Sequence, residues 1–407
     1  MKNPVFNAGK VLFFSLVFFL MLNASAFGEE LQDVKEELKK QKDVIERLEN
    51  RVRELEERKK AEQEAQKEVK AAMPQFGMNL GAFGDLNFST GNRERKNDSF
   101  SIGEVSLYST SNIGERLNFL LELGVEFKRN ESGEIDETHV DIERLWAGYT
   151  FSDFLIARAG RFHSALGYWN RAYHHGKHLF VTVGRPFFLN FEDDNGVIPI
   201  HIVGVEFSGT KLTSIGRFRY DLEAGNGPRM KEDSMVPAKN NLAVNSTSDD
   251  NNSKQVVARF VLEPKAVSGL VVGISGTTFT VEKASSTISV NEAIYGADVY
   301  FKRGLLEFIA EYFRFRNRDA SANAYYLQIA YTLDRFTPYF RYETLNSDKD
   351  DPYLGALSGG GQRFQYIGGV KYDIDFINSS LKAQYRYDDE EDENIHNVFE
   401  LQWAFHF

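Results

Sequence analysis

The sequence contains no cysteine. That absence excludes disulfide frameworks, thiolate zinc sites, cysteine nucleophiles and lipid acylation of a cysteine. Basic charge is also in deficit. Lys and Arg number 48 against 59 Asp and Glu, a net −11, which argues against a general nucleic-acid binder. Beyond residue 22 no continuous apolar stretch reaches membrane-spanning length, and the mean hydropathy of −0.40 argues against a polytopic helical membrane protein. What is present excludes a wholly disordered chain: 42% of residues are hydrophobic, against 26% charged. The 407 residues allow two or three ordinary domains. Average hydropathy is blind to one membrane class, the β-barrel, whose strands alternate apolar and polar residues.

The chain opens with Lys2 and Lys10, then an apolar run from Val11 to Leu22, then Ala24-Ser25-Ala26. A helix over that run reaches about 18 Å, too short for a hydrocarbon core about 30 Å thick. The pattern reads as a cleavable signal peptide over 1–26, with the mature chain starting at Phe27; an uncleaved anchor is the alternative. The mature protein is then expected to leave the cytoplasm.

From Glu29 to Ala72 there is neither glycine nor proline. Leu31, Leu38, Ile45 and Val52 occupy the a positions of a heptad, and Val34, Gln41, Leu48 and Leu55 the d positions. So narrow a stripe among Glu, Lys, Arg and Gln calls for copies of itself, which predicts a periplasmic α-helical coiled coil over 27–75. A lone solvated helix is the alternative. β-branched a residues with Leu at d between Ile45 and Leu55 lean dimeric, and the earlier heptads differ, so oligomer number stays open. Residues 1–75 carry 14 basic and 14 acidic side chains, so the whole negative charge belongs to the rest of the chain. Met73-Pro74 stops the helix.

Over 76–407 the period changes to two. In Asn397–Phe407, Phe399, Leu401, Trp403, Phe405 and Phe407 alternate with Glu400, Gln402, Ala404 and His406. In Leu381–Tyr387, Leu381, Ala383, Tyr385 and Tyr387 alternate with Lys382, Gln384 and Arg386. Such segments run longer than the roughly 5–6 residues of soluble strands and suit tilted membrane-crossing strands. Sixteen are expected, at 78–90, 99–111, 116–128, 138–151, 154–163, 199–209, 213–225, 254–264, 269–282, 291–302, 304–316, 322–333, 335–345, 361–373, 379–388 and 396–407. Short links alternate with longer ones, as in a 16-stranded antiparallel transmembrane β-barrel with turns at the periplasm and loops outside. Aromatics near strand ends, among them Tyr108, Phe151, Tyr331 and Tyr387, are expected in interfacial girdles. A soluble β-sandwich, β-helix or propeller is the alternative.

Sixteen strands enclose a water-filled lumen. By parity its wall carries Arg144, Arg158, Arg217, Arg219, Arg259, Lys382 and Arg386 among the bases, and Glu307 and Glu311 among the acids. Segregated across a narrowing, such charges filter ions; otherwise they simply solvate the wall. The loop 164–198 is the distinctive segment. It is too aromatic to be disordered, with Trp169, Tyr173, Phe180, Phe187 and Phe188. In it or just before it stand Arg161, His163, Arg171, His174, His175, Lys177, His178 and Arg185, then Glu192, Asp193 and Asp194. Folded inward, this basic block and acidic block would constrict the pore, and its histidines would add charge as pH falls toward 6. His174 and His178 have metal-ligand spacing, but no third ligand is evident, so no metal and no cofactor is expected. The loop 226–253 is polar and reads as a mobile external loop. Asp389–Asn394 reads as an acidic loop tip, either simply solvated or collecting the divalent cations that bridge lipopolysaccharide.

Residues 76–407 resemble the bacterial outer-membrane porin superfamily. The resemblance rests on the sixteen strands, the long third loop and a last strand, VFELQWAFHF, ending at Phe407. Within it the chain looks most like the phosphate-selective porin O/P group, through Arg158-Ala159-Gly160-Arg161-Phe162, Leu166-Gly167 and Arg185-Pro186. That likeness implies a homotrimer in the outer membrane, a constricting third loop, and assembly through the terminal aromatic strand by the barrel-assembly machinery. Phosphate-specific members imply a dense ladder of inward Arg and Lys, whereas acids outnumber bases on this wall. The function expected is passive diffusion of ions and small hydrophilic solutes. The alternative is a structural anchor whose rod, about 66 Å long if wholly helical, tethers the membrane to peptidoglycan. No Ser/His/Asp arrangement stands out, so no enzyme is expected.

Overall fold

The computed structural model describes residues 30–72, 77–92, 99–129, 135–173, 176–233, 236, 238–244, 253–282, 289–391 and 394–407. The expected signal peptide lies outside the described residues. The chain divides into two units, 1–75 and 76–407.

In the first unit, α1 spans Glu30–Ala72. Its residues are strong helix formers uninterrupted by glycine or proline. Ile45, Leu48, Val52 and Leu55 are exposed along one face. The side chains of Leu31, Val34 and Leu38 lie outside the described set.

The second unit contains β1 (Gly77–Gly91), β2 (Ser99–Ile113), β3 (Leu117–Arg129), β4 (Ile135–Ser152), β5 (Leu155–His163), β6 (His201–Leu212), β7 (Gly216–Asn226), β8 (Pro228–Glu232) and β9 (Asn240–Val244). Then follow β10 (Lys254–Pro264), β11 (Leu270–Glu282), β12 (Ser289–Arg303), β13 (Leu306–Arg316), β14 (Ser321–Tyr331), β15 (Phe336–Asn346), β16 (Arg363–Ile374), β17 (Ser379–Glu390) and β18 (Asn394–His406). All but β8 and β9 form one closed antiparallel barrel of sixteen strands, each paired with its neighbour along the chain. β1 closes against β18 from Phe83↔His406 to Gly91↔Val398. At that seam Ala82 and Phe407 exchange both backbone hydrogen bonds, at 2.8 and 2.9 Å. Every expected strand is present, and boundaries differ by a few residues.

The alternation has a direct reading in burial. Along β13, Ile309, Glu311, Phe313 and Phe315 are buried while Tyr312 is exposed. Leu80, Phe100, Leu107, Leu145, Val205, Leu222, Phe260, Ile274, Leu327, Phe340, Leu381 and Leu401 are all exposed. These outward residues form the apolar belt that membrane barrels present to lipid. No described helix is long and apolar enough to cross a membrane. Tyr108 departs from the expected girdle: its ring lies over Gly81 and 6.2 Å from the ring of the buried Phe83.

At one end the connections are short turns, at 114–116, 153–154, 213–215, 265–269, 304–305, 332–335 and 375–378. At the other end are 92–98, 130–134, 164–200, 227–253, 283–288, 317–320, 347–362 and 391–393. We call these the turn side and the loop side. In the acidic segment 389–394, Asp389, Glu390 and Asn394 are strand, with Glu390 paired to Asn394, and Glu391 is a turn. The 226–253 segment is not simply a mobile loop either. β8 and β9 pair with Met230 opposite Leu242, and both side chains are buried. Asn240 bridges to Leu357 in the 347–362 loop, and the Ser358 N–H donates to the Asn240 carbonyl at 2.9 Å. Two buried apolar residues at matching register, with Lys239 and Asn240 donating to the Gly355 and Ala356 carbonyls at 2.8 and 3.1 Å, dock this largely polar stretch.

Candidate functional site

The 164–200 loop leaves β5 at His163 and enters β6 at His201, and those two residues face each other across the sheet. Its neck is closed by hydrogen bonds. The Ser164 N–H donates to the Ile200 carbonyl at 2.7 Å, and the Asn170 amide donates to the carbonyls of Ser164 and Ile200. Glu192 folds back onto the neck. Its Oε1 accepts from the Ile200 and His201 N–H groups at 2.8 and 2.7 Å, and its Oε2 lies 2.9 Å from His201 Nδ1. Burial alone would raise the Glu192 pKa, but the His201 ring and these bonds outweigh it and hold the carboxyl at about 2.

A buried segment of irregular chain must find partners for its backbone groups. Here the wall supplies them. Glu311 on β13 accepts from the N–H groups of Tyr168 and Trp169 at 2.7 and 2.8 Å, and from the Tyr326 hydroxyl at 2.7 Å. Gly167 has φ +73°, and a Cβ there would collide with the Glu311 carboxylate, so only glycine fits. A short helix, α2 (Trp169–Ala172), carries Arg171 onto Glu206 and Asp221, each at 3.0 Å, with Glu223 at 3.7 Å. Burial lowers the Arg171 pKa, yet the three carboxylates raise it further, so the guanidinium stays charged.

Further along, Arg341 on β15 donates to Thr182 Oγ1 and to the carbonyls of Gly184 and Arg185, all at 3.0 Å, and pairs with Glu343 at 3.3 Å. Glu343 in turn accepts from the Phe187 N–H at 3.0 Å. Lys382 on β17 donates to the carbonyls of Lys177 and Thr182 at 2.6 and 2.8 Å, with its ammonium 4.7 Å from the centre of the Phe180 ring. The Val183 N–H donates to Gln384 at 2.9 Å. His178 stacks on His406, with ring centres 4.3 Å apart. Apolar packing completes the attachment: Trp169, Phe180 and Phe188 are buried, Phe188 against Phe313 and Trp169 against Tyr326.

The remaining wall charges are mostly paired with one another. Arg144 binds Glu122 and Arg158 binds Glu206. Arg259 grips Asp298 through two bonds of 2.6 and 2.8 Å. Arg386 lies 2.6 Å from Asp388 and 3.4 Å from Glu400, and Lys302 lies 3.0 Å from Glu307. Arg217 and Arg219, near the turn side, share Glu263 at 3.3 Å.

The expected site residues therefore separate. Arg171, Lys177, His178 and Arg185 lie in the docked loop, and Arg185 sits 4.2 Å over the Phe191 ring. Arg161 donates to the Glu143 carbonyl at 3.1 Å, and His163 is buried at the neck with its Nδ1 3.2 Å from the Asn170 carbonyl. Asp193 and Asp194 are exposed, so the acidic block is divided between them and buried Glu192. His174 and His175 lie outside the described residues. His178 does not gain charge near pH 6: burial, with His406 and two lysines beside it, pushes its pKa down to about 4. Lys382 and Arg259 are buried rather than bare pore wall. Charge-based reading passes over Asn170 at the neck and over Gln384 and Gln402, the latter donating to the Val183 carbonyl at 3.2 Å, since each is neutral. Among the described residues no group of three ligand side chains could hold a metal.

No protein-family model matches the chain, and no curated protein matches it. Solved structures do match its fold. The anion-selective porin from Comamonas acidovorans aligns at TM-score 0.54 and 12% identity, over 82% of this chain and 100% of that one. The outer-membrane channel DcaP of Acinetobacter baumannii aligns at 0.55 and 10%, over 83% and 99%. OmpT of Vibrio cholerae, an outer-membrane protein in trimer form, aligns at 0.53 and 10%, over 82% and 100%. The barrel thus has the fold of outer-membrane porins and channels. None of these likenesses singles out the phosphate-selective group.

Proposed function

We propose that the protein is an outer-membrane porin, a water-filled channel for passive diffusion of ions and small hydrophilic solutes, constricted by the 164–200 loop. The observation that carries this reading is a closed barrel with an apolar outer belt whose longest loop is fastened to inward polar side chains on β6, β7, β13, β15, β17 and β18. A loop held so firmly narrows the lumen permanently instead of gating it. Because most wall bases are matched by wall acids, ion selectivity is weak and rests on the acids left in excess. Phosphate selectivity does not follow from so balanced a wall. The turn side faces the periplasm, where a chain threaded from within leaves its N-terminal segment. The barrel works as a homotrimer, assembled through the Phe407 strand.

Single-channel recording of the purified protein in a planar bilayer under a salt gradient tests this. Conductance steps in groups of three with a small reversal potential are expected, and added phosphate leaves them unblocked. A stably inserted but silent barrel sinks the reading. A second reading is favoured by the exposed apolar face of α1: the helices of a trimer join in a coiled coil that spaces the membrane from peptidoglycan. Deletion of 27–75 that preserves conductance but loosens the envelope separates the two roles.

A further inference from the structure

Near the turn side the barrel holds a cavity of about 430 Å³. Its position follows from its lining, since Ile156, Arg219 and Val271 all lie within a few residues of short turns. Four arginines line it, Arg158, Arg171, Arg219 and Arg259. Of their carboxylate partners, Glu206, Glu223, Glu263 and Asp298 do not line it; Asp221 is the one acid that does. A solute there meets arginine side chains, each already ion-paired, while most of the paired carboxylates stand outside the lining. Arg219 also keeps a buried Nε with no hydrogen-bond partner. Beside the arginines stand Tyr168 and Tyr300, stacked at 4.6 Å, and the apolar side chains of Ile156, Val261 and Val271.

We propose that this cavity is a binding station for small organic carboxylates with an aromatic or alkyl body. A guanidinium fork matches a carboxylate in plane, and the tyrosines and aliphatic residues match the body. The volume lies within the range of small-molecule sites and far exceeds a bare inorganic anion. Inorganic phosphate would satisfy the arginines and leave the apolar flank in contact with water. The proposal deepens the channel reading, on which it rests for the solute's route to the cavity.

Equilibrium binding tests it apart from conductance. The full-length protein in detergent is titrated calorimetrically with benzoate, acetate, inorganic phosphate and benzyl alcohol. Saturable benzoate binding is expected, tighter than acetate or phosphate, with none for benzyl alcohol. Arg219→Gln and Arg158→Gln each weaken benzoate binding about tenfold or more, the value of one charge-assisted hydrogen bond. Arg335→Gln, an exposed turn residue outside the cavity, is the charge control and leaves binding unchanged. Absence of saturable benzoate binding overturns the station, as does phosphate or benzyl alcohol binding equal to benzoate. These wild-type comparisons decide the matter even if a variant fails to fold. A barrel that conducts chloride but does not bind benzoate refutes the station alone, and one that binds benzoate but never conducts refutes the channel alone.

Discussion

Single side chains decide whether the long loop stays inside the barrel. Arg341 is 1% exposed and satisfies three loop acceptors together with Glu343. Arg341→Met removes them all and strands a buried carboxylate, a loss of about 3–5 kcal/mol. Trp169 lies 5.7 Å from the Arg341 guanidinium, so its fluorescence should shift to the red and the loop should become open to protease. Unchanged emission would contradict this fastening. His178 sets a pH limit on the same docking. Its pKa is about 4 when docked and near 6.5 when free, so the undocked loop binds more protons between those values. The His178 contribution to docking is complete above about pH 6.5 and is lost as pH falls toward 4. Glu192 acts lower down: held at about 2, its contribution is complete above 4.5 and is lost only below that. Protease sensitivity of the loop, followed from pH 7.5 to 4 in the wild type and in His178→Phe, should show the wild type losing more protection than the variant as pH falls through this window.

The 164–200 loop behaves as an element of its own, with a closed neck, a short helix, an aromatic interior and wall contacts all around. Replacing 168–192 with a short glycine linker should leave the barrel intact and raise single-channel conductance at least twofold, if the loop narrows the lumen. Equal conductance would show that the narrowing lies elsewhere. This element was partly legible in the sequence. Its length and its aromatics predicted packing, and its charges marked it as a functional segment. The sequence did not reveal which wall residues it would meet, because Glu311, Arg341 and Lys382 lie far along the chain and are brought to it only by barrel closure. The hairpin of β8 and β9 was illegible for a related reason. Among its described residues Met230 and Leu242 are the only fully buried large apolar anchors, too few for a periodic signal.

At the scale of the whole molecule, the two units predict separable roles. Deletion of 27–75 should leave a folded, conducting barrel, because the pairings that close the sheet lie wholly within 77–407. Heat-resistant migration on a gel and unchanged conductance would confirm it; loss of insertion would make α1 part of assembly. At the other terminus, Phe407 exchanges backbone bonds with Ala82 at the closing seam while its ring stays exposed. Removing it should slow insertion in cells while detergent refolding proceeds, if the ring is an assembly signal. Equal loss of both would mean that the residue merely closes the seam.

The sequence by itself determined the barrel. Strand number, boundaries within a few residues, the outward face and the sidedness of the connections all follow from a period of two and from turn residues, which are local properties. The tertiary structure alone decided what lies inside. Parity places Arg158 and Arg259 toward the lumen and the folded-in loop brings Arg171 there, yet their pairing with Glu206, Asp221 and Asp298 depends on register and on where the loop comes to rest. Those are long-range contacts, and the energy of a buried charge is set by its neighbours in space, not by its neighbours in the chain.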